Sequence, residues 1–132
     1  MMNGQLFIYG SLLSADNEFG QYVKRNATFM SDAVFKGRLY DCGEYPGAVA
    51  DNNGYDIKGS IYRLNDLIAG LVILDDYEGC GIEQQQPNLF IRKLITVTVG
   101  NKPIECWIYL YNLPVEGLLE ITSGDYTTYT KL

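Results

Sequence analysis

The fold of this chain is organised around LNDLIAGLVILDDYEG, residues 64–79. An Asn-Asp pair of the kind that caps helices precedes the apolar run, and a glycine of the kind that ends helices follows it. The stretch therefore predicts one helix. At roughly 100° per residue, Leu67, Leu71, Leu74 and Glu78 fall within a narrow arc on one helix face. A carboxylate thus continues an apolar stripe at the end of the helix, where the carbonyl dipoles disfavour negative charge.

This placement makes Glu78 the leading candidate for a working residue. Burial beside the stripe and the helix dipole both predict a raised carboxyl pKa, which suits proton transfer near neutral pH. A second interpretation is a capping or salt-bridged carboxylate that turns to solvent. A cation site of Asp75, Asp76 and Glu78 is a third, and it is disfavoured because neighbouring carboxylates on a helix point apart.

Length and composition predict a single globular domain covering residues 1–132, with 47% hydrophobic and 20% charged residues. The net charge of −6 disfavours nucleic acid and anionic membranes as partners. No apolar run is long enough to cross a bilayer. The first residues carry no secretion signal, so we expect a cytoplasmic protein.

The chain contains no histidine, which excludes Ser-His and Cys-His catalysis and removes the commonest transition-metal ligand. Cys42, Cys80 and Cys106 are widely spaced and suggest neither a disulfide framework nor a metal site. A hydrolase that uses Cys80 is conceivable, but no histidine is present to activate it. Acid-base chemistry therefore falls to carboxylates, tyrosines or lysines.

Strand patterns surround the central helix. Residues 5–9 predict a buried strand that ends in a sharp Gly-Ser turn, and turns of this kind can bind anions through successive N–H groups. Residues 33–40 and 55–63 predict two more strands, and Gly37 in the first of them predicts a bulge or a close approach. A short strand precedes residue 55, and the Asn-Gly pair between that short strand and the strand at 55–63 predicts a hairpin turn. Residues 89–99 and the segment after them predict an antiparallel pair. Together with a short helix near residues 17–24, these patterns predict an α+β fold whose sheet curls into a barrel with room for a small ligand.

Several short motifs occur together: FIYGSL at 7–12, YPGA at 45–48, LDDYEG at 74–79, FIR at 90–92, and WIY at 107–109, followed by SGDY near the end. In this order and over nearly the whole length, they make the chain resemble the gamma-glutamylcyclotransferase-like family, in particular its small bacterial members. The resemblance implies a mixed, barrel-like sheet of five to seven strands, one main helix and short extra helices.

The resemblance also implies an enzyme that cyclises gamma-glutamyl compounds to 5-oxoproline and releases an amine or amino acid. Tyr9, Gly10, Ser11 and Leu12 would cradle the glutamyl moiety, and Glu78 would be the general acid/base.

Tyr109 or Arg92 would orient the substrate, although Arg92 is equally expected to pair with a local acid. No cofactor or metal is implied, and the partner is a small gamma-glutamyl molecule bound by a monomer or homodimer. The alternative is a non-catalytic small-molecule-binding or regulatory protein that uses the same pocket.

Overall fold

Seven strands and two helices make up the part of the chain that this computed structural model describes, which comprises residues 4–9, 18–43 and 45–129. In chain order they are β1 (Gln5–Tyr9), α1 (Glu18–Asn26), β2 (Ala27–Asp41), β3 (Pro46–Ala50), β4 (Tyr55–Leu64), α2 (Leu67–Tyr77), β5 (Phe90–Val99), β6 (Lys102–Tyr111) and β7 (Leu119–Glu120). Neither helix is long and apolar enough to cross a membrane.

The strands form one mixed sheet in the order β3-β2-β4-β1-β6-β5, with β7 paired to β2. The β1–β6 pair is parallel, and the other pairs are antiparallel. A bridge between Val34 and Thr98 joins β2 to β5 and closes five of the strands into a barrel. The predicted α+β fold with a mixed, barrel-like sheet is confirmed.

Alternation along β1 separates the two cores of the protein. Phe7 and Tyr9 belong to the core inside the barrel, together with residues such as Ile57. Leu6 and Ile8 point to the opposite face and pack in a second core against the helices. Because side chains alternate across a strand, one five-residue strand contributes to both layers.

The predicted hairpin between the third and fourth strands is wrong. The turn itself forms, with the Gly54 N–H donating to the Asp51 carbonyl at 2.9 Å. The strands on its two sides do not pair with each other; β3 and β4 both pair with β2 and meet it at Gly37. The 15-residue β2 is long enough to pair with both β3 and β4. The Asn-Gly pair predicted only the local turn and not the partner of each strand.

Gly37 is the predicted point of close approach, and this is confirmed because a Cβ there would collide with the Val49 carbonyl oxygen. The bulge of β2 lies elsewhere, between Phe29 and Ser31. β2 also begins at Ala27, earlier than predicted, because its first residues are mostly exposed and carry no apolar alternation.

Candidate active site

Glu78 is held at the end of α2 by a defined helix stop. It is the C-cap residue, and its N–H donates to the Leu74 carbonyl at 3.0 Å. Gly79 follows with a φ of 67°, and the Gly79 and Cys80 N–H groups donate to the carbonyls of Asp76 and Asp75. This is the Schellman arrangement, which needs a residue that tolerates positive φ after the cap. The predicted glycine stop is confirmed.

The start of α2 was also predicted correctly, because Asp66 is the N-cap and its carboxylate accepts from the Ala69 N–H at 3.1 Å. Leu71 and Leu74 are buried in the core beneath the helix. Capping at one end and packing along the middle therefore fix the position of the residue that follows the last turn.

A pocket of about 450 Å³ opens beside the end of α2. This volume lies within the range of about 300–1,000 Å³ that is typical of small-molecule sites. Most of its wall is aromatic or aliphatic, and two of its residues carry carboxylates. The wall consists of Phe7, Ile8, Tyr9, Glu18, Phe19, Tyr45, Pro46, Tyr77, Glu78, Leu89, Phe90 and Tyr109. No lysine or arginine belongs to this described wall.

Burial raises the pKa of the Glu78 carboxyl from 4.5 to about 7. The side chain is half-buried, and within the described part of the chain no donor or cation is paired with it to oppose the shift. Glu78 therefore exchanges a proton near neutral pH, as an acid-base catalyst must. Burial among the apolar side chains that the sequence predicted around Glu78 is the cause of this raised pKa.

Tyr9 lies on the same wall, and its hydroxyl is bonded to the backbone of two other strands. It donates to the Tyr109 carbonyl at 2.6 Å and accepts from the Ala48 N–H at 3.2 Å. Burial raises the pKa of Tyr9 far above its usual range, with a further contribution from the charge of Glu78. Tyr9 is therefore a neutral part of the wall that ties β1 to β6 and β3.

Tyr109 and Arg92 meet on a single carboxylate, Asp75. The Tyr109 hydroxyl donates to Asp75 Oδ1 at 2.7 Å, and Arg92 donates through Nε at 2.8 Å and through Nη2 at 3.2 Å. The Arg92 guanidinium also lies 4.5 Å from the centre of the Trp107 ring. Asp75 thus joins the last turn of α2 to both β5 and β6, three residues before Glu78.

The structure brings three of the predicted site residues together on one wall, namely Glu78, Tyr9 and Tyr109. Arg92 lies outside that wall and pairs with Asp75, which agrees with the local-acid interpretation. Gly10, Ser11 and Leu12 lie outside the described residues.

Sequence reasoning did not assign Phe19 or Tyr45 to the pocket. Tyr45 and Phe90 belong to motifs on which the family resemblance rests, and that membership was the one sequence signal for their place in the pocket. Phe19 lies on α1, in the region where a short helix was predicted.

Asp75, Asp76 and Glu78 do not share a centre. Asp75 is engaged by Arg92 and Tyr109, and Asp76 accepts from Gln84 Nε2 at 2.9 Å. In the ranges that the structure describes, no group of three or more metal-ligating side chains occurs. Cys80 is a free, half-buried thiol that is not part of the pocket wall.

Comparisons with known proteins agree with this architecture. The sequence model of the family "Gamma-glutamyl cyclotransferase, AIG2-like" matches residues 6–128. The gamma-glutamylcyclotransferase family protein YtfP of Escherichia coli is 33% identical over 123 residues, which cover 92% of this chain and 95% of that protein. A putative gamma-glutamylcyclotransferase of Halalkalibacterium halodurans is 34% identical over 98 residues, covering 72% of this chain and 82% of that protein.

The solution structure of the Escherichia coli YtfP protein aligns with a TM-score of 0.68 at 31% identity, covering 94% of this chain and 96% of that one. The crystal structure of an AIG2-like protein from Mus musculus shares the fold, with a TM-score of 0.62 at 21% identity, covering 81% of this chain and 76% of that one. The chain belongs to the gamma-glutamyl cyclotransferase, AIG2-like family.

Proposed function

We propose that the chain is a gamma-glutamyl cyclotransferase in which Glu78 is the general acid/base. The observation that carries the proposal is a carboxyl with a pKa raised to about 7 on the wall of a pocket of substrate size. Family membership supplies the reaction class, and the position of Glu78 supplies the residue.

The reaction needs no protein nucleophile. The α-nitrogen of the substrate bonds to its own γ-carbonyl carbon, and the bond from that carbon to the departing nitrogen breaks. The products are 5-oxoproline and a free amine or amino acid. Because both reacting groups belong to one molecule, holding the chain folded back contributes on the order of 7–11 kcal/mol to lowering the barrier.

Glu78 moves the proton in this scheme. As a carboxylate it accepts a proton from the α-nitrogen, and as an acid it then gives that proton to the departing nitrogen. A positioned group of this kind contributes roughly 100- to 10,000-fold to the rate. The carboxylates of Glu18 and Glu78 also make the described wall favourable for the positively charged α-ammonium of the substrate.

The other residues position the substrate. By the family resemblance, the Tyr9-Gly10-Ser11-Leu12 segment binds the glutamyl moiety, and Tyr9 is the member of that segment that the structure describes. Tyr109 presents its ring to the pocket while its hydroxyl is held by Asp75. Arg92 acts through Asp75 and not by touching the substrate.

The test is a panel of gamma-glutamyl amino acids and amines, with 5-oxoproline formation as the readout, applied to the wild type and to Glu78→Gln. We expect the substitution to reduce turnover by roughly 100- to 10,000-fold while 5-oxoproline binding, followed by NMR, survives. Glu116→Gln, at an exposed position outside the pocket, is the matched control and should retain full activity. Equal rates in wild type and Glu78→Gln would remove Glu78 from this role, and binding without turnover across the panel would indicate a binding protein.

A further inference from the structure

A second cavity lies on the outer side of α2. This groove, about 650 Å³ in volume, runs between the exposed face of the helix and the loop that follows it. Val72, Ile73 and Ile82 are apolar residues of its wall, and Glu18, Asp76 and Glu83 are charged residues of the same wall. Neither the motifs nor the proposed reaction accounts for it.

The apolar surface that α2 and the loop after it expose is unusual for the outside of a protein. Ile68 is 66% exposed, Val72 is 67% exposed and Ile82 is 95% exposed. Ile73 and Tyr77 are exposed as well, so five of the nine exposed large hydrophobic residues in the described part of the chain belong to α2 or to the loop after it. An apolar helix face is normally covered, and among the residues that the structure describes the outer face of α2 lacks the cover that its composition predicts.

The loop that carries Ile82 is held by its own hydrogen bonds. Gln84 Nε2 donates to Asp76 Oδ1 at 2.9 Å, and Asn88 Nδ2 and Gln86 Nε2 each donate to the Gly81 carbonyl at 2.9 Å. Asn88 Oδ1 also accepts from the Gly81 N–H at 3.0 Å. Because the loop is cross-linked in this way, the groove is formed before a partner arrives, and less ordering entropy opposes binding.

Charge identifies the kind of partner. Asp75 also lines the groove, but Arg92 neutralises it, which leaves the carboxylates of Glu18, Asp76 and Glu83 on the wall. No lysine or arginine belongs to the described wall of the groove. A second copy of this chain would bring the same acids together, and nucleic acids and anionic membranes carry charge of the same sign. A cationic partner with an apolar stripe complements both properties of the surface.

We propose that this groove is a docking site for a basic amphipathic helix of another protein. Apolar side chains on one face of that helix pack on Val72, Ile73 and Ile82, and lysines or arginines beside them meet Glu18, Asp76 and Glu83. Glu18 and Tyr77 line both the groove and the active-site pocket, so the bound helix lies directly against the wall of the pocket. The docking site does not depend on the proposed reaction, because its test measures binding.

The test uses a synthetic leucine-lysine peptide of about 14 residues, about four helical turns, with its leucines on one face. Titration of the isotope-labelled protein by NMR is expected to give saturable shifts at Val72, Ile73 and Ile82, and the affinity should fall as salt is raised. Val72→Lys and Glu83→Lys should each weaken binding by about tenfold or more.

Matched controls separate the groove from the overall negative charge of the protein. Leu94→Lys changes an exposed leucine on β5, and Glu116→Lys changes an exposed acid far along the chain; neither lines the groove. Both should leave the affinity within about twofold of wild type, and a peptide of the same composition in scrambled order should bind about tenfold more weakly. Equal losses in all four variants, shifts located elsewhere, or self-association through α2 would overturn the proposal.

Discussion

The environment that raises the pKa of Glu78 also lowers the free energy of unfolding when this carboxyl is charged. Its pKa is raised from 4.5 to about 7 in the folded protein. The folded state therefore binds the proton more tightly than the unfolded state does. This cost in stability is absent below the unfolded pKa, grows as the pH rises through the window from 4.5 to about 7, and is complete above it. At about 1.4 kcal/mol per pKa unit, the upper limit is about 3 kcal/mol.

Replacing Glu78 by glutamine should remove this cost. Glu78→Gln is expected to raise the free energy of unfolding by up to about 3 kcal/mol at about pH 8 and to change it little at about pH 4. Urea unfolding at the two pH values measures the difference. An equal effect of Glu78→Gln at both pH values would contradict the shifted pKa.

The pairing of Asp75 with Arg92 and Tyr109 was not predicted from the sequence, and the reason is distance along the chain. Its partners Arg92 and Tyr109 lie 17 and 34 residues away. Helical periodicity reports only which face of α2 a residue occupies, so it identified Glu78 through its apolar neighbours. Which carboxylate meets which arginine is decided by strand pairing, which no local pattern contains.

Asp75→Asn should destabilise the protein although the two side chains have nearly the same size. The substitution removes the charge that pairs with Arg92, whose side chain is only 23% exposed. We expect a loss of about 1–3 kcal/mol in the free energy of unfolding. Asp76→Asn, at the exposed neighbouring position, should change it by less than about 0.5 kcal/mol, and similar values for the two variants would show that the Asp75 cluster contributes nothing.

At the scale of elements, α2 was the best predicted part of the chain. Its cap at Asp66 and its stop at Gly79 are local signals, and both are confirmed. The prediction was less accurate about where the helix ends, because Glu78 lies one residue past the last helical residue, Tyr77. Gly79 therefore controls the direction in which Glu78 leaves the helix.

Gly79→Ala tests whether the helix stop positions Glu78, and Gly100→Ala is the matched control variant. Both glycines have positive φ, 67° and 60°, and neither site is crowded, so each substitution should cost about 1–2 kcal/mol of stability for the same backbone reason. Only Gly79→Ala should also displace Glu78 and reduce 5-oxoproline formation, by up to about 100-fold. Parallel losses of activity in the two variants would contradict the positioning role of the helix stop.

At the scale of the whole molecule, the sequence predicted the fold class and the barrel but not the complete strand pairing. The Asn-Gly turn near residue 54 was read correctly as a turn and wrongly as a hairpin, because turn chemistry is local and the choice of strand partner is not. Closure through Val34 and Thr98 joins residues that are distant in the sequence. Residues from β1, α2 and β6, which are also distant in the sequence, meet around the pocket, which explains why only part of its wall was predicted.

The proposed role of Glu78 depends on the folded pocket giving its carboxyl a pKa suited to acid-base catalysis. The most direct measurement is an NMR titration of the Glu78 side-chain carboxyl carbon in the folded protein, repeated in urea. We expect a midpoint of about 7 in the folded state and one near 4.5 in the unfolded chain. A folded-state midpoint equal to that of the unfolded chain would contradict it.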